Sequence, residues 1–117
     1  MTLPLLVVED RRSLAAMLQE TLAQEGYAVR VALRGDEAVA LLRSPERWLA
    51  VLTDLKLPGA DGLEVLAAAR AADPELPVFL ITAHATVETA VAALKQGAWD
   101  YFQKPLDFDR VLAALRA

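Results

Sequence analysis

Short apolar runs alternate along the chain with segments in which apolar residues recur at helical spacing. The runs are typical of strands buried on both faces of a sheet, whereas the spacing of Leu14, Leu18 and Leu22 is typical of a helix. Strands are predicted over residues 3–8, 27–33, 49–53, 77–81 and 99–103, each followed by a helix. This alternation over short connections predicts an α/β fold, with a parallel sheet and helices on both faces.

Capping and turn residues mark the predicted helix ends. Gly26 and Gly97 stand where a glycine ends a helix, and Pro45 limits the second helix. Asp36 is positioned to cap the N-terminus of that second helix, and the last helix is predicted from Asp107 onward. The pattern contains no repeat, low-complexity tract or linker. We therefore expect residues 1–117 to form a single domain, either stand-alone or the N-terminal fragment of a longer protein.

Composition and charge exclude several classes of function. The 117 residues include 12 basic and 16 acidic side chains, a net charge of −4, which disfavours a nucleic-acid-binding surface. The lack of cysteine excludes disulfides, thiolate metal sites and thiol nucleophiles. The apolar runs are shorter than a membrane span, and no signal-peptide pattern is visible. We expect a cytoplasmic domain that binds neither nucleic acid nor membrane directly.

Polar residues stand where the predicted strands end. Glu9 and Asp10 follow the first strand, and Asp54 follows the third. Thr82 follows the fourth strand and Lys104 the fifth. Because the carboxyl ends of parallel strands meet at one edge of the sheet, these side chains are predicted to converge there. If the first and third strands are neighbours, the three carboxylates share one pocket.

Three clustered carboxylates can all ionise at neutral pH only with a cation among them. The predicted ligands are oxygens, which favours Mg²⁺, or Mn²⁺ in its place. Mg²⁺ commonly shares its coordination shell with a phosphate, and Lys104 and Thr82 would then contact that phosphate. Asp54 is expected to be the most exposed carboxylate at a strand end and is therefore the natural nucleophile, since an aspartate can form an acyl phosphate.

This arrangement resembles the receiver domain of two-component response regulators, over essentially the whole chain. The motifs that carry the resemblance are VVED at 7–10, LTDLKLPGADG at 52–62, ITAHA at 81–85 and GAWDYFQKPLD at 97–107. Residues 81–107 are most similar to receivers of the NtrC type. The resemblance implies a flavodoxin-like (CheY-like), doubly wound sheet with strand order 2-1-3-4-5 and five helices.

The resemblance also implies a role for each residue at the acidic end of the sheet. Asp54 is the implied phosphoacceptor. Asp10 and Asp54 are the implied direct metal ligands, with Glu9 acting mainly through water and the Lys56 backbone carbonyl as a further ligand. The side chains of Lys56 and His84 occupy the positions that tune the lifetime of the phosphorylated state in such domains.

The phosphoryl contacts and the switch residues are likewise implied by the resemblance. Thr82 and Lys104 correspond to the residues that contact the phosphoryl group. Tyr101, three residues before the lysine, corresponds to the aromatic residue that moves together with the threonine. The bond between Lys104 and Pro105 is implied to be cis.

The function implied is a signalling switch rather than a turnover enzyme. A sensor histidine kinase would phosphorylate Asp54, and the surface of helix 4, strand 5 and helix 5 would change. That surface would control an output, here transcription through NtrC-type ATPase and DNA-binding domains, with homodimerisation on phosphorylation. The domain would assist its own phosphorylation and dephosphorylation.

Three other functions agree less well with the sequence. A haloacid-dehalogenase-type phosphatase needs a second aspartate two residues after its nucleophile, where this chain has Lys56. A degenerate receiver that serves only as an interaction module would usually lack the acidic pair, the acceptor or the lysine, and this chain has all of them. A flavodoxin-like cofactor carrier needs a Ser/Thr/Gly-rich loop after the first strand, where this chain has EDRRS at 9–13.

Overall fold

The computed structural model of the protein describes residues 2–117. Strands and helices alternate along this part of the chain, which confirms the predicted α/β class. The strands are β1 (Leu5–Val8), β2 (Val29–Ala32), β3 (Ala50–Asp54), β4 (Val78–Thr82) and β5 (Asp100–Gln103). The helices are α1 (Arg12–Gln24), α2 (Gly35–Arg43), α3 (Gly62–Ala72), α4 (Val87–Lys95) and α5 (Phe108–Arg116).

Within residues 2–117, the strands form one parallel sheet in the order β2-β1-β3-β4-β5. β1 pairs with β2 on one side and with β3 on the other. The direction of winding therefore reverses beside β1 and β3, the place where open α/β sheets bind ligands. The predicted strand order is confirmed.

Helices cover both faces of the sheet and bury its side chains in two layers. Alternate strand residues point to opposite faces, so Leu5 and Val7 lie in one layer while Leu6 and Val8 lie in the other. The first layer is closed by α1 and α5 through Leu18, Leu22, Val111 and Leu112. The second is closed by α2, α3 and α4 through Leu42, Val65, Leu66, Ala69 and Ala93. Burial on both faces explains the nearly continuous apolar runs of the sequence.

Two of the polar residues at the carboxyl edge of the sheet belong to the strands themselves. Asp54 and Thr82 are the last residues of β3 and β4, whereas the sequence placed each of them directly after its strand. Backbone hydrogen bonds continue beyond the strand ends, from Leu55 N to Ile81 O at 3.1 Å and from Lys104 N to Thr82 O at 2.8 Å. The site residues are therefore carried by hydrogen-bonded backbone.

Most of the predicted helix ends agree with the structure. Gly26 and Gly97, with φ of 93° and 94°, lie just beyond α1 and α4 and allow the left-handed turn that ends each helix. Asp107 caps α5 by accepting hydrogen bonds from the backbone amides of its first turn. Within the described residues, no helix is long and apolar enough to cross a membrane.

The prediction that Asp36 caps α2 is wrong. The helix begins at Gly35 with Arg34 as its N-cap, and Asp36 lies in the first turn. The Asp36 carboxylate accepts hydrogen bonds from the Arg34 guanidinium and the Glu37 amide instead. The helix can begin at Gly35 because this residue has no Cβ, which would overlap the backbone carbonyl of Ala60.

Gly62 brings the first turn of α3 against the end of β3. A Cβ at this position would overlap the carbonyl oxygen of Asp54 and crowd the Cα atom of Leu55. The Gly62 amide donates to the carbonyl of Leu55 at 2.8 Å. The backbone that carries Asp54 is thus held in place by α3.

We expect Gly62→Ala to lower the free energy of unfolding by about 3 kcal/mol, because the added methyl meets backbone that cannot rotate away. Urea denaturation measures the loss. Gly26→Ala is the control, since its Cβ would meet nothing within 4 Å and only a positive φ of 93° is strained. Its expected cost is about 1 kcal/mol. A loss for Gly62→Ala no larger than for Gly26→Ala would contradict the steric explanation.

Candidate functional site

The carboxylates of Glu9, Asp10 and Asp54 form one cluster at the carboxyl edge of the sheet. β1 and β3 are aligned so that Val8 lies opposite Thr53, which brings the next residue of each strand together. One oxygen from each carboxylate lies within 4.8 Å of the other two. Glu9 and Asp54 are buried and Asp10 is exposed, so the cluster opens to solvent on the Asp10 side. The prediction that Asp54 is the most exposed carboxylate is wrong, because β3 is paired with a strand on each side.

Lys104 carries its ammonium group into this cluster from the end of β5. Its Nζ atom donates hydrogen bonds to Glu9 Oε1 at 2.6 Å and to Asp54 Oδ2 at 2.6 Å. The Lys104 side chain is 10% exposed, so these ion pairs are shielded from water. The peptide bond from Lys104 to Pro105 is cis. The sequence placed Lys104 at this edge, and the structure adds the pairing with both buried carboxylates.

The remaining carboxylate oxygens of the buried pair accept hydrogen bonds from backbone. Glu9 Oε2 accepts from the Arg11 amide at 2.9 Å, and Asp54 Oδ1 accepts from the Lys56 amide at 3.2 Å. Each buried carboxylate therefore has two donors, one from Lys104 and one from the loop that follows its strand. These contacts fix the orientation of both groups.

Burial and charge shift the protonation of this cluster. Burial raises the pKa of the Glu9 carboxyl above its ordinary value of 4.5, outweighing its hydrogen bonds from Lys104 and Arg11, and the negative charge of Asp54 raises it further. Burial disfavours the charged form of Lys104, yet hydrogen bonds to Asp54 and Glu9 outweigh burial and raise its pKa. Lys104 is therefore protonated at neutral pH and supplies the positive charge of the site.

The donor set of the cluster suits a hard divalent cation. Its three side chains offer carboxylate oxygens, which such ions prefer, and the sequence has no cysteine and a single histidine. Asp10 is exposed, so solvent reaches the cluster on that side. The residues present therefore fit a metal ion of this kind.

Thr82 and His84 flank the cluster on the β4 side. The side chain of Thr82 is buried, and its Oγ1 accepts a hydrogen bond from the His84 amide at 3.0 Å. Because Ile81 is aligned with Asp54 in the neighbouring strand, Thr82 lies at the same edge as the cluster. The side chains of His84 and Lys56 are exposed to solvent beside it.

Tyr101 lies on β5, at the margin of the layer closed by α2, α3 and α4. It is half-buried, and its hydroxyl is 2.9 Å from Thr89 Oγ1 in α4. Thr89 was not singled out from the sequence. The spacing of Thr86 and Thr89 at the start of a helix was the available signal for a cap, but nothing in the sequence connected it with Tyr101.

The chain can be assigned to a protein family. Residues 5–116 match the family model described as the response regulator receiver domain. The chain belongs to this family, which confirms the resemblance found in the sequence.

Similar proteins include transcriptional regulatory proteins. The chain is 43% identical over 111 residues to the transcriptional regulatory protein ZraR of Salmonella typhimurium, covering 95% of this chain and 25% of that protein. It is 44% identical over 113 residues to the transcriptional regulatory protein TctD of the same species, covering 97% of this chain and 50% of TctD. The chain thus spans a quarter to a half of the length of these relatives.

A solved structure shares the fold. It is a response regulator protein from Burkholderia pseudomallei with a phosphorylated aspartic acid, a calcium ion and citrate. The TM-score is 0.89 at 35% identity, covering 97% of this chain and 66% of that one.

The raised pKa of Glu9 makes stability depend on pH. The folded state holds the Glu9 proton more tightly than the unfolded state, so protonation of Glu9 adds to the free energy of unfolding. This contribution is full below pH 4.5 and is lost as pH rises through the pKa that Glu9 has in the folded state. The stability of the wild type relative to Glu9→Gln should therefore fall as pH rises above 4.5 and then level off. Urea denaturation in EDTA from about pH 4 to about pH 8 measures this difference. Glu20→Gln, on the exposed side of α1, is the matched control, and a difference for Glu9→Gln that does not change with pH would refute the effect.

Proposed function

We propose that this domain accepts a phosphoryl group on Asp54 from the phosphohistidine of a sensor histidine kinase, in a reaction that requires Mg²⁺. The observation that carries the proposal is the Lys104 ammonium 2.6 Å from the carboxylate of Asp54, beside two further carboxylates. A nucleophile, a fixed positive charge and an oxygen-ligand metal site at one point are the components that phosphoryl transfer needs.

We assign the nucleophile to Asp54, the aspartate at the position of the phosphoacceptor in the receiver family, whose Oδ2 lies 2.6 Å from Lys104 Nζ. One of its oxygens attacks phosphorus, so that a P–O bond forms while the P–N bond to the kinase histidine breaks. The histidine ring takes up a proton as it leaves. The product is an acyl phosphate, which water later hydrolyses to restore the carboxylate.

The acidic cluster would hold the metal ion. Asp10 and Asp54 are its direct ligands in this proposal, the Lys56 carbonyl is a further ligand, and Glu9 acts mainly through water. When bound, Mg²⁺ offsets the negative charge of the carboxylates and of the phosphoryl oxygens.

Lys104 and Thr82 would stabilise the phosphoryl group. The ammonium lies within hydrogen-bond distance of Asp54 and can move its hydrogen bond to a phosphoryl oxygen with little displacement. Thr82 accepts a hydrogen bond from His84, so its own hydroxyl proton is available to a phosphoryl oxygen. Lys56 and His84 project into the solvent beside the site, where each would influence the approach of water and hence the lifetime of the phosphorylated state.

The phosphorylated domain would act by changing its surface. Movement of Thr82 and Tyr101 would alter the face formed by α4, β5 and α5, through which an output domain or a second copy binds. We propose that residues 1–117 are one receiver domain of a longer cytoplasmic regulator of transcription with NtrC-type output domains. The similarity to ZraR and TctD, two transcriptional regulatory proteins of which this chain covers a quarter and a half, supports a longer regulator of transcription.

We expect acetyl phosphate with Mg²⁺ to add one phosphoryl group to the wild type and none to Asp54→Asn, because the amide is not a nucleophile. Intact-mass spectrometry measures the adduct. Asp61→Asn is the matched control, since it removes a carboxylate from the same loop at a position where asparagine also caps α3. A stoichiometric, stable adduct on Asp54→Asn would identify another acceptor, and a wild type that remains unmodified by acetyl phosphate and by kinase would refute the proposal.

We expect Asp10→Asn to weaken Mg²⁺ binding by roughly tenfold or more, because it replaces a charged ligand with a neutral one. Titration calorimetry measures the affinity. Asp107→Asn removes one negative charge from the cap of α5, outside the cluster, and should leave the affinity unchanged. Equal effects of the two variants would indicate that the affinity for Mg²⁺ depends only on the net charge of the domain.

A further inference from the structure

α4 is held to the sheet by little apolar burial. Among the helices that the structure describes, it has the fewest buried residues, with Ala93 alone. Its large apolar side chains are exposed instead, Val87 by 80%, Val91 by 44% and Leu94 by 56%. Since apolar burial is the main force that attaches a helix to a sheet, polar contacts have unusual weight in positioning α4.

The first turn of α4 is closed by a capping box made of two threonines. Thr86 Oγ1 accepts from the Thr89 amide at 3.0 Å, and Thr89 Oγ1 accepts from the Thr86 amide at 3.1 Å. The usual partner at the second position is Glu or Gln, whose longer side chain reaches back to the cap. A threonine hydroxyl stays close to the helix, where another element can also contact it.

Tyr101 makes that contact from β5. Its hydroxyl lies 2.9 Å from Thr89 Oγ1. Within residues 2–117 this is the one side-chain hydrogen bond between α4 and another strand or helix.

Either hydroxyl of the pair Tyr101 and Thr89 could donate this hydrogen bond. Thr89 Oγ1 also lies 3.1 Å from the Thr86 carbonyl oxygen and 2.9 Å from the Thr86 hydroxyl. The contact with Tyr101 therefore joins β5 to the hydrogen-bonded cap of α4.

We propose that the hydrogen bond between Tyr101 and Thr89 fastens the first turn of α4 to β5 and sets how readily α4 opens from the sheet. Thr89 is a positioning residue in this account, because it acts through Tyr101 and the cap. Loss of the bond frees the turn that carries Val87 and leaves Ala93 as the main apolar attachment.

The same network leads toward Asp54. The Thr82 hydroxyl accepts from the His84 amide, two residues before the cap at Thr86, so a movement of Thr82 is passed to the start of α4. This link rests on the proposed phosphorylation of Asp54. The fastening of α4 by Tyr101 does not depend on it.

Amide hydrogen exchange of the metal-free, unphosphorylated domain tests the proposal. In Tyr101→Phe we expect the amides of Ala90 and Val91 to exchange about threefold to tenfold faster, as loss of one hydrogen bond allows, while the amides of α3 are unchanged. Tyr27→Phe, which removes the hydroxyl of the other tyrosine in the chain, should leave α4 unchanged. Unaltered exchange in α4 for Tyr101→Phe, or equal acceleration in α3 and α4, would overturn the proposal.

Variants of Thr89 test the hydrogen bond without changing the aromatic ring of Tyr101. Thr89→Val should accelerate exchange in α4, and adding Tyr101→Phe to it should give no further increase, because the bond is already lost. Thr89→Ser keeps the hydroxyl and should stay close to the wild type. Independent, additive effects of the two changes would overturn the proposal. A failure of Asp54 phosphorylation would remove only the link through Thr82, since these measurements use neither metal nor phosphoryl donor.

Discussion

The site depends on one ammonium group placed between two buried carboxylates. Lys104 Nζ is 2.6 Å from both Glu9 and Asp54, and without it these carboxylates would face each other in a site that water reaches poorly. The same contacts hold together three parts of the chain, since Lys104 is 95 residues from Glu9 and 50 from Asp54. The charge balance of the site and the geometry of the sheet edge therefore support each other.

The sheet holds the charged groups of the site in fixed positions. Glu9 and Asp54 stand at the ends of neighbouring buried strands, and Gly62 allows α3 to approach the backbone of Asp54 without a Cβ in the way. Such an arrangement does not favour stability, because burial raises the pKa of Glu9 and keeps negative charges close together. A cluster that costs stability and is held in place by the fold is typical of a chemical site.

α4, unlike the site, is only weakly attached to the sheet. It has little buried apolar surface, and its first turn depends on the threonine cap and on Tyr101. A rigid site beside a lightly attached helix gives a domain in which a small change at one end can alter the population of surface conformations at the other. The proposed function uses this contrast, since the reactive group lies at the carboxyl end of β3 and the responsive surface lies beside the outer strand β5.

The sequence alone determined the alternation of strands and helices, the family, and the convergence of Glu9, Asp54 and Lys104. These features follow from local patterns and from the rule that parallel strands end at one edge. The sequence predicted the starts of helices less reliably. Asp36 has the chemistry of a cap, but the close approach of Gly35 to Ala60 decides where α2 begins. Only the tertiary structure decided that Lys104 pairs with both Glu9 and Asp54 and that Tyr101 reaches Thr89. Such contacts depend on how far a side chain extends and how closely a helix lies on the sheet, and packing of the whole core sets those distances.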